Sequence, residues 1–256
     1  MGYQRRLIFI SLLKKEVLRF LRIAPQTLIA PLVTASLYLL IFGVSLGERV
    51  QLHADFSYLD FVVPGLILMG AINNSFSNVS SSLFLSRYIG NIAELLVTPI
   101  SPIQMALGYI CAAVLRGSLV AGMIFIAAQF FGASAWVDPL LGFLILIITT
   151  FIFANLGLMA ALAAKNFDSL SMFTNFLIIP LIYLGGLFYP VNQLSGVWRG
   201  ISQLNPLYYL IDAFRGACLG SSENSVVFSV SIAGTLSLFL FSTVVALLSS
   251  GYKLRQ

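Results

Sequence analysis

The sequence predicts an all-α membrane protein of six transmembrane helices. An amphipathic helix precedes the first span, a short charged helix joins the second and third, and short re-entrant helices lie between the fifth and sixth. Three observations carry that expectation. The chain is 59% hydrophobic and 9% charged, with mean hydropathy +0.97, where a soluble domain carries roughly a quarter charged residues. Apolar windows near the ~20 residues that cross a ~30 Å hydrocarbon core recur along it. Its basic residues sit mainly in alternate connecting segments. All 256 residues read as one domain.

The elements follow in order. Residues 5–22 open with Arg5 and Arg6, but the apolar run Leu7 to Leu13 is short and no small-residue cleavage site follows, so this is not a signal peptide. On a helical wheel Phe9, Ile10, Leu13, Val17, Phe20 and Leu21 share one face. Lys14, Lys15, Arg19 and Arg22 share the other. That pattern predicts a helix lying in the membrane interface, its basic face toward anionic head groups. A partner contact accounts for it equally well. Spans are expected at about 28–46, 61–85, 104–131, 139–164, 169–189 and 226–248.

Between spans two and three stands SRYIGNIAELLVTPISP, residues 86–102. Ile92, Leu95 and Leu96 fall at helical spacing, Arg87 and Glu94 are charged, and Pro99 ends the helix. From the residues alone this is either an interfacial elbow touching lipid or a stiff element that passes force from a soluble partner to two long helices. Span two is polar for a membrane helix, with Gly70, Asn73, Asn74, Ser77, Ser80 and Ser81 within one broad face. Helix packing and pathway lining both explain such residues. Arg116 lies well inside span three, where a guanidinium must snorkel or find a partner that the sequence does not name. After span five, Pro206 to Leu219 is apolar but too short to cross, which suggests a re-entrant or interfacial element. Asp212 and Arg215 are spaced to pair on one of its faces, and Asn205 before Pro206 reads as a cap.

Charge placement orients the chain. If the N-terminus is cytoplasmic, the inside segments hold Arg5, Arg6, Lys14, Lys15, Arg19, Arg22, Arg87, Lys165, Lys253 and Arg255. The outside segments hold Arg49, Arg199 and Arg215, with Glu48, Asp55, Asp60, Asp138, Asp212 and Glu223. The asymmetry predicts that both termini are cytoplasmic and that residues 47–57 and 190–222 lie outside. The net charge of +5 is then topology and not a nucleic-acid footprint.

Catalytic motifs are scarce. Cys111 and Cys218 lie far apart in apolar settings, His53 is the one histidine, and none of the four lysines follows a glycine, so neither a zinc site nor a phosphate-binding P-loop is expected. No Asp or Glu falls deep in a span, where a proton-coupled carrier would keep one. The chain therefore reads as a transport subunit energised elsewhere, with a secondary transporter or channel as the alternative class.

Three motifs then support a resemblance. Asn-Ile-Ala-Glu-Leu-Leu-Val-Thr-Pro-Ile-Ser from Asn91 resembles the coupling-helix region of the ABC-2 type exporter permease family, whose bacterial members include polysaccharide, nodulation-factor and drug exporters. Gly185 to Pro190 (GGLFYP) and Leu204 to Arg215 (LNPLYYLIDAFR) resemble that family's fifth-span exit and its external Asn-Pro segment. The resemblance implies a multi-pass permease of the bacterial inner membrane, working as a homodimer with two copies of a nucleotide-binding ATPase. ATP and Mg would sit on that partner, and this chain would carry no cofactor, metal or catalytic residue. It implies coupling through Gly90, Asn91, Ile92, Glu94, Leu95, Leu96, Thr98 and Pro99, and a pathway past Asn73, Asn74, Ser77 and Tyr183. An external gate would comprise Tyr189, Asn205, Pro206, Asp212 and Arg215, and the cargo would be a lipid-linked glycan, a lipid or a drug-like amphiphile.

Overall fold

The computed structural model describes residues 2–45, 57–133 and 136–254, and all regular structure among them is helical. Most of the expected outer loop, with Glu48, Arg49, His53 and Asp55, lies outside the described residues, as does Arg255. Helix α1 is Gly2–Arg22 and leads into α2, residues 25–45. Then come α3 (Tyr58–Tyr88), α4 (Ile92–Leu96), α5 (Pro102–Phe130) and α6 (Pro139–Ala163). Helix α7 is Phe167–Leu184, followed by α8 (Gly196–Leu204), α9 (Pro206–Leu219) and α10 (Val226–Ser249). Six of these are long and apolar enough to cross a membrane.

Polar residues begin the helices where the apolar runs start. The Ser57 hydroxyl accepts the Asp60 amide at 3.1 Å, and the Asp138 carboxylate accepts the Leu141 amide at 3.0 Å. Ser101 and Gln104 form a reciprocal capping box at α5, satisfying two amides that the first turn leaves without partners. Helices α2 and α7 contain wide π-type turns at Pro25–Ile29, Leu39–Ser45 and Thr174–Ile178, the first beside Pro25 and Pro31 and the last beside Pro180. A proline withholds one amide, and in lipid the freed carbonyls must be satisfied by such local adjustment.

Helix α3 is the centre, packed along its length by α5 and α6. Close approach there depends on residues without side chains. A Cβ on Gly157 would lie 2.7 Å from the Phe76 carbonyl oxygen, and one on Gly117 would lie 3.0 Å from that of Ala71. Small residues at helix contacts are what membrane interiors use where the hydrophobic effect gives no drive to association. The outer helices are thinly covered: 11% of the apolar window of α7 is buried, and 17% of those of α2 and α10. Phe176, Leu238, Phe239 and Leu140 face outward, as hydrocarbon allows and water would not.

The fifth span is shorter than expected, ending at Leu184, because Gly185 and Gly186 (φ +80°) turn the chain before Pro190. Arg87 belongs to α3 itself, not to the connecting element. Its guanidinium donates to the carbonyls of Ala161 and Leu162, tying the end of α3 to the last turn of α6.

Candidate functional site

Two regions of the bundle concentrate the residues singled out above, and a third brings together the segment after α7. The first is α4. Gly90, with φ +80°, turns the chain sharply out of α3. Five residues then form the helix, the Thr98 hydroxyl donates to the Leu95 carbonyl at 2.6 Å, and Pro99 stops it. Ile92 is buried, and Leu95 and Leu96 pack beside it against the apolar cluster at this end of the bundle, so the apolar face belongs to the bundle and does not wait for lipid. The opposite face is free: Asn91, Ala93 and Glu94 are exposed, and Val97 is 84% exposed. A cavity of about 500 Å³ opens alongside, between Arg87, Gly90, Leu96, Val97 and Leu254. The arrangement is a stub anchored on one side and presented on the other.

The second region is a cleft of about 290 Å³ between α2, α3 and α5, lined by Thr34, Tyr38, Asn73, Asn74 and Arg116 among others. Asn73 and Ser77 lie one turn apart on a half-exposed stripe of α3, with Asn73 in the cleft and Ser77 beyond it. Asn74 is buried. Its Oδ1 accepts Arg116 Nη2 at 2.9 Å, and its Nδ2 donates to the Gly70 carbonyl at 3.0 Å. Tyr183 stacks on Phe188 at 5.8 Å between ring centroids, and Phe188 packs in turn on the cleft residue Tyr38 at 5.8 Å. Arg116 thus has its partner in span two, one that no spacing in the sequence announced.

Asn78, Glu16 and Arg19 complete that network; the wheel analysis misplaced Arg19 and left Glu16 unassigned. Arg19 does not join Lys14, Lys15 and Arg22 toward head groups. Its Nη2 donates to Asn78 Oδ1 at 2.9 Å and to the Asn78 carbonyl at 2.7 Å, and its Nε pairs with Glu16 at 3.1 Å. Glu16 is fully buried, on the stripe Leu12–Glu16–Phe20–Thr27 that α1 and the start of α2 turn inward. Burial of an ion is tolerable only with such a partner. The clue was present: Glu16 and Arg19 stand three apart, and Asn74 and Asn78 four apart, each pair on one helix face.

The third region is at the other end of the bundle from α4. Asn205 caps α9 by accepting the Leu207 amide at 3.0 Å, and its Nδ2 reaches back to the Leu181 carbonyl at 2.6 Å. Pro206 occupies the first turn, where its missing amide costs nothing. Asp212 and Arg215, spaced to pair, take other partners. Asp212 accepts the amides of Glu223 and Asn224, each at 2.8 Å, because the turn after α9 folds back over it. Arg215 donates to the carbonyls of Phe61 (3.2 Å) and Gly186 (3.0 Å), with its guanidinium carbon 3.7 Å from the Phe61 ring centroid. One arginine thereby clamps α3, α9 and the turn after α7. Tyr208 donates to Glu223 at 2.9 Å, and burial pushes its phenol up to about 12. Tyr189 donates to the Tyr183 carbonyl at 3.0 Å.

Comparison with known proteins agrees with this architecture. The profile of the ABC-2 type transporter family matches residues 8–219. The inner membrane transport permease YadH of Escherichia coli (strain K12) is 37% identical over 249 residues, 96% of each chain. Nodulation protein J of Rhizobium meliloti (strain 1021) is 25% identical over 214 residues, 83% of this chain and 82% of its own. That of Neorhizobium galegae is 26% identical over 213 residues, 83% of this chain and 81% of its own. With a six-span helical bundle and a family match over most of its length, the chain belongs to the ABC-2 type transporter family.

Proposed function

We propose that this chain is the membrane-spanning half of an ATP-driven exporter of the bacterial inner membrane, coupled through α4 to a separate nucleotide-binding subunit. The observation that carries the proposal is the two-sided build of α4. Its apolar face is fixed to the bundle while Glu94 and Val97 face out beside an open cavity. A lipid-facing elbow would expose the apolar face instead. The stub is stiff because Gly90, the Thr98 hydroxyl and Pro99 define both its ends. Displacing it moves α3 and α5 directly, and Arg87 carries α6 with them. The positive-inside bias supports a cytoplasmic position for α4 and both termini.

The working unit is a homodimer with two ATPase subunits, the thinly covered helix α7 offering surface to a second copy. Cargo passes by Asn73, Asn74, Ser77 and Tyr183 and leaves under a gate of Tyr189, Asn205, Asp212 and Arg215, with α9 set into the outer leaflet. The cleft's mix of polar residues (Thr34, Asn73, Asn74, Arg116) and apolar ones (Leu66, Met69, Ile124) favours an amphiphile, such as a lipid-linked glycan, a lipid or a drug-like molecule, over a small ion.

The test is co-expression with the cognate ATPase subunit. Val97→Asp and Glu94→Lys should each abolish co-purification without altering the thermal melting of the permease, since both side chains are exposed. Loss of a desolvated charge contact typically costs about 2–5 kcal/mol. Unaltered assembly in both variants would make α4 an elbow and remove the proposal.

A further inference from the structure

We infer that the cleft between α2, α3 and α5 is a binding site for a phosphate-class anion, the group that an amphiphile would carry on its head. The inference rests on the transporter reading above and names a chemistry for its cargo. Arg116 is the fifteenth residue of α5, about 21 Å along it at 1.5 Å per residue. That depth is near the middle of a hydrocarbon core. Its side chain is more than nine-tenths buried, and it lines the cleft. Among the described residues only neutral amide oxygens accept from it: Asn74 Oδ1 at 2.9 Å and, weakly, Asn78 Oδ1 at 3.4 Å.

Charge bookkeeping leaves the cluster unbalanced. Asn78 Oδ1 receives two guanidinium groups, those of Arg19 and Arg116, and Glu16 pairs with Arg19. Two cations against one carboxylate leave a positive charge inside the bundle, on the side of Arg116. Arg116 Nε has no hydrogen-bond partner among the described residues. A guanidinium held in an apolar interior by neutral acceptors is costly, and an anionic oxygen on its cleft side is what balances the charge.

The rest of the cleft fits an anion carried on a chain. Thr34, Tyr38 and Asn73 add polar groups around Arg116, whereas Leu66, Met69 and Ile124 form an apolar wall. The volume of about 290 Å³ admits a head group with the first part of a tail, not a folded glycan. The opening beside the exposed residue Thr34 lies on the thinly covered α2, which allows lateral entry from a membrane leaflet.

The experiment uses the purified permease alone in neutral maltoside detergent, without ATP or a partner subunit, so its failure leaves the coupling proposal standing. Cys111 is replaced by serine, Thr34→Cys is introduced at the cleft, and the rate of maleimide labelling is followed. Dodecyl phosphate should slow labelling by about tenfold or more, the worth of one hydrogen bond to a charged group. The matched zwitterion dodecylphosphocholine and neutral dodecanol should protect far less. Inorganic phosphate is run in parallel: protection by it alone assigns the site to a free anion, and protection only by the alkyl phosphate assigns it to a head group. Arg116→Gln should lose the preference for the anion, and Arg116→Lys should keep part of it. Equal protection by phosphate and phosphocholine amphiphiles in the Thr34→Cys protein would overturn the inference, whatever the folding of the Arg116 variants.

Discussion

At the residue scale, three arginines hold the bundle together by different means. Arg215 links two backbone carbonyls and an aromatic ring, a job that needs the planar fork of a guanidinium. Arg215→Lys should therefore destabilise the detergent-solubilised protein almost as much as Arg215→Ala, visible as a lowered melting temperature in both. Asn78 serves Arg19 and Arg116 at once. Asn78→Leu should cost about 1–3 kcal/mol, since it strips buried charged donors of their acceptor. Ser81→Ala, which removes only a bond to its own helix, should leave melting unaltered. The sequence exposed Arg116 as an anomaly but not its partners, because pairing across helices depends on how they are rotated. Asp212 and Arg215 teach the same lesson in reverse. Their spacing allowed a pair, and the turn at 223–224 and the carbonyls of Phe61 and Gly186 compete better for them.

At the element scale, α3 owes its position to glycines on its neighbours. Gly157→Leu would drive a side chain into the Phe76 carbonyl, and overpacking of this kind typically costs about 1–3 kcal/mol. Reduced yield of folded protein and lower melting should follow, with no such effect for Gly234→Leu, which faces open space. Helix positions were legible in the sequence because hydrocarbon demands long apolar runs, and the polar caps at Ser57, Ser101, Asp138, Asn166 and Asn205 mark where they begin. The inward turn of α1 was not legible. A wheel shows which residues share a face but not which face meets protein, and the buried Glu16 draws Arg19 away from the head-group face assigned to it.

At the scale of the whole molecule, the two ends of the bundle differ in kind. One end carries α4, the last turn of α6 and residues 251–254, where Lys253 approaches the Ala163 carbonyl. The other carries α8, α9 and the turns that Arg215 clamps. Coupling to an ATPase requires the first end to face the cytoplasm, and that orientation is the central claim. It is tested by placing a photoreactive phenylalanine analogue at Val97 or at Trp198, which is 59% exposed on α8, and co-expressing the cognate ATPase subunit. The account predicts a cross-link to the ATPase from position 97 and none from position 198. A cross-link from position 198, or none from position 97 in an assembled complex, would contradict it.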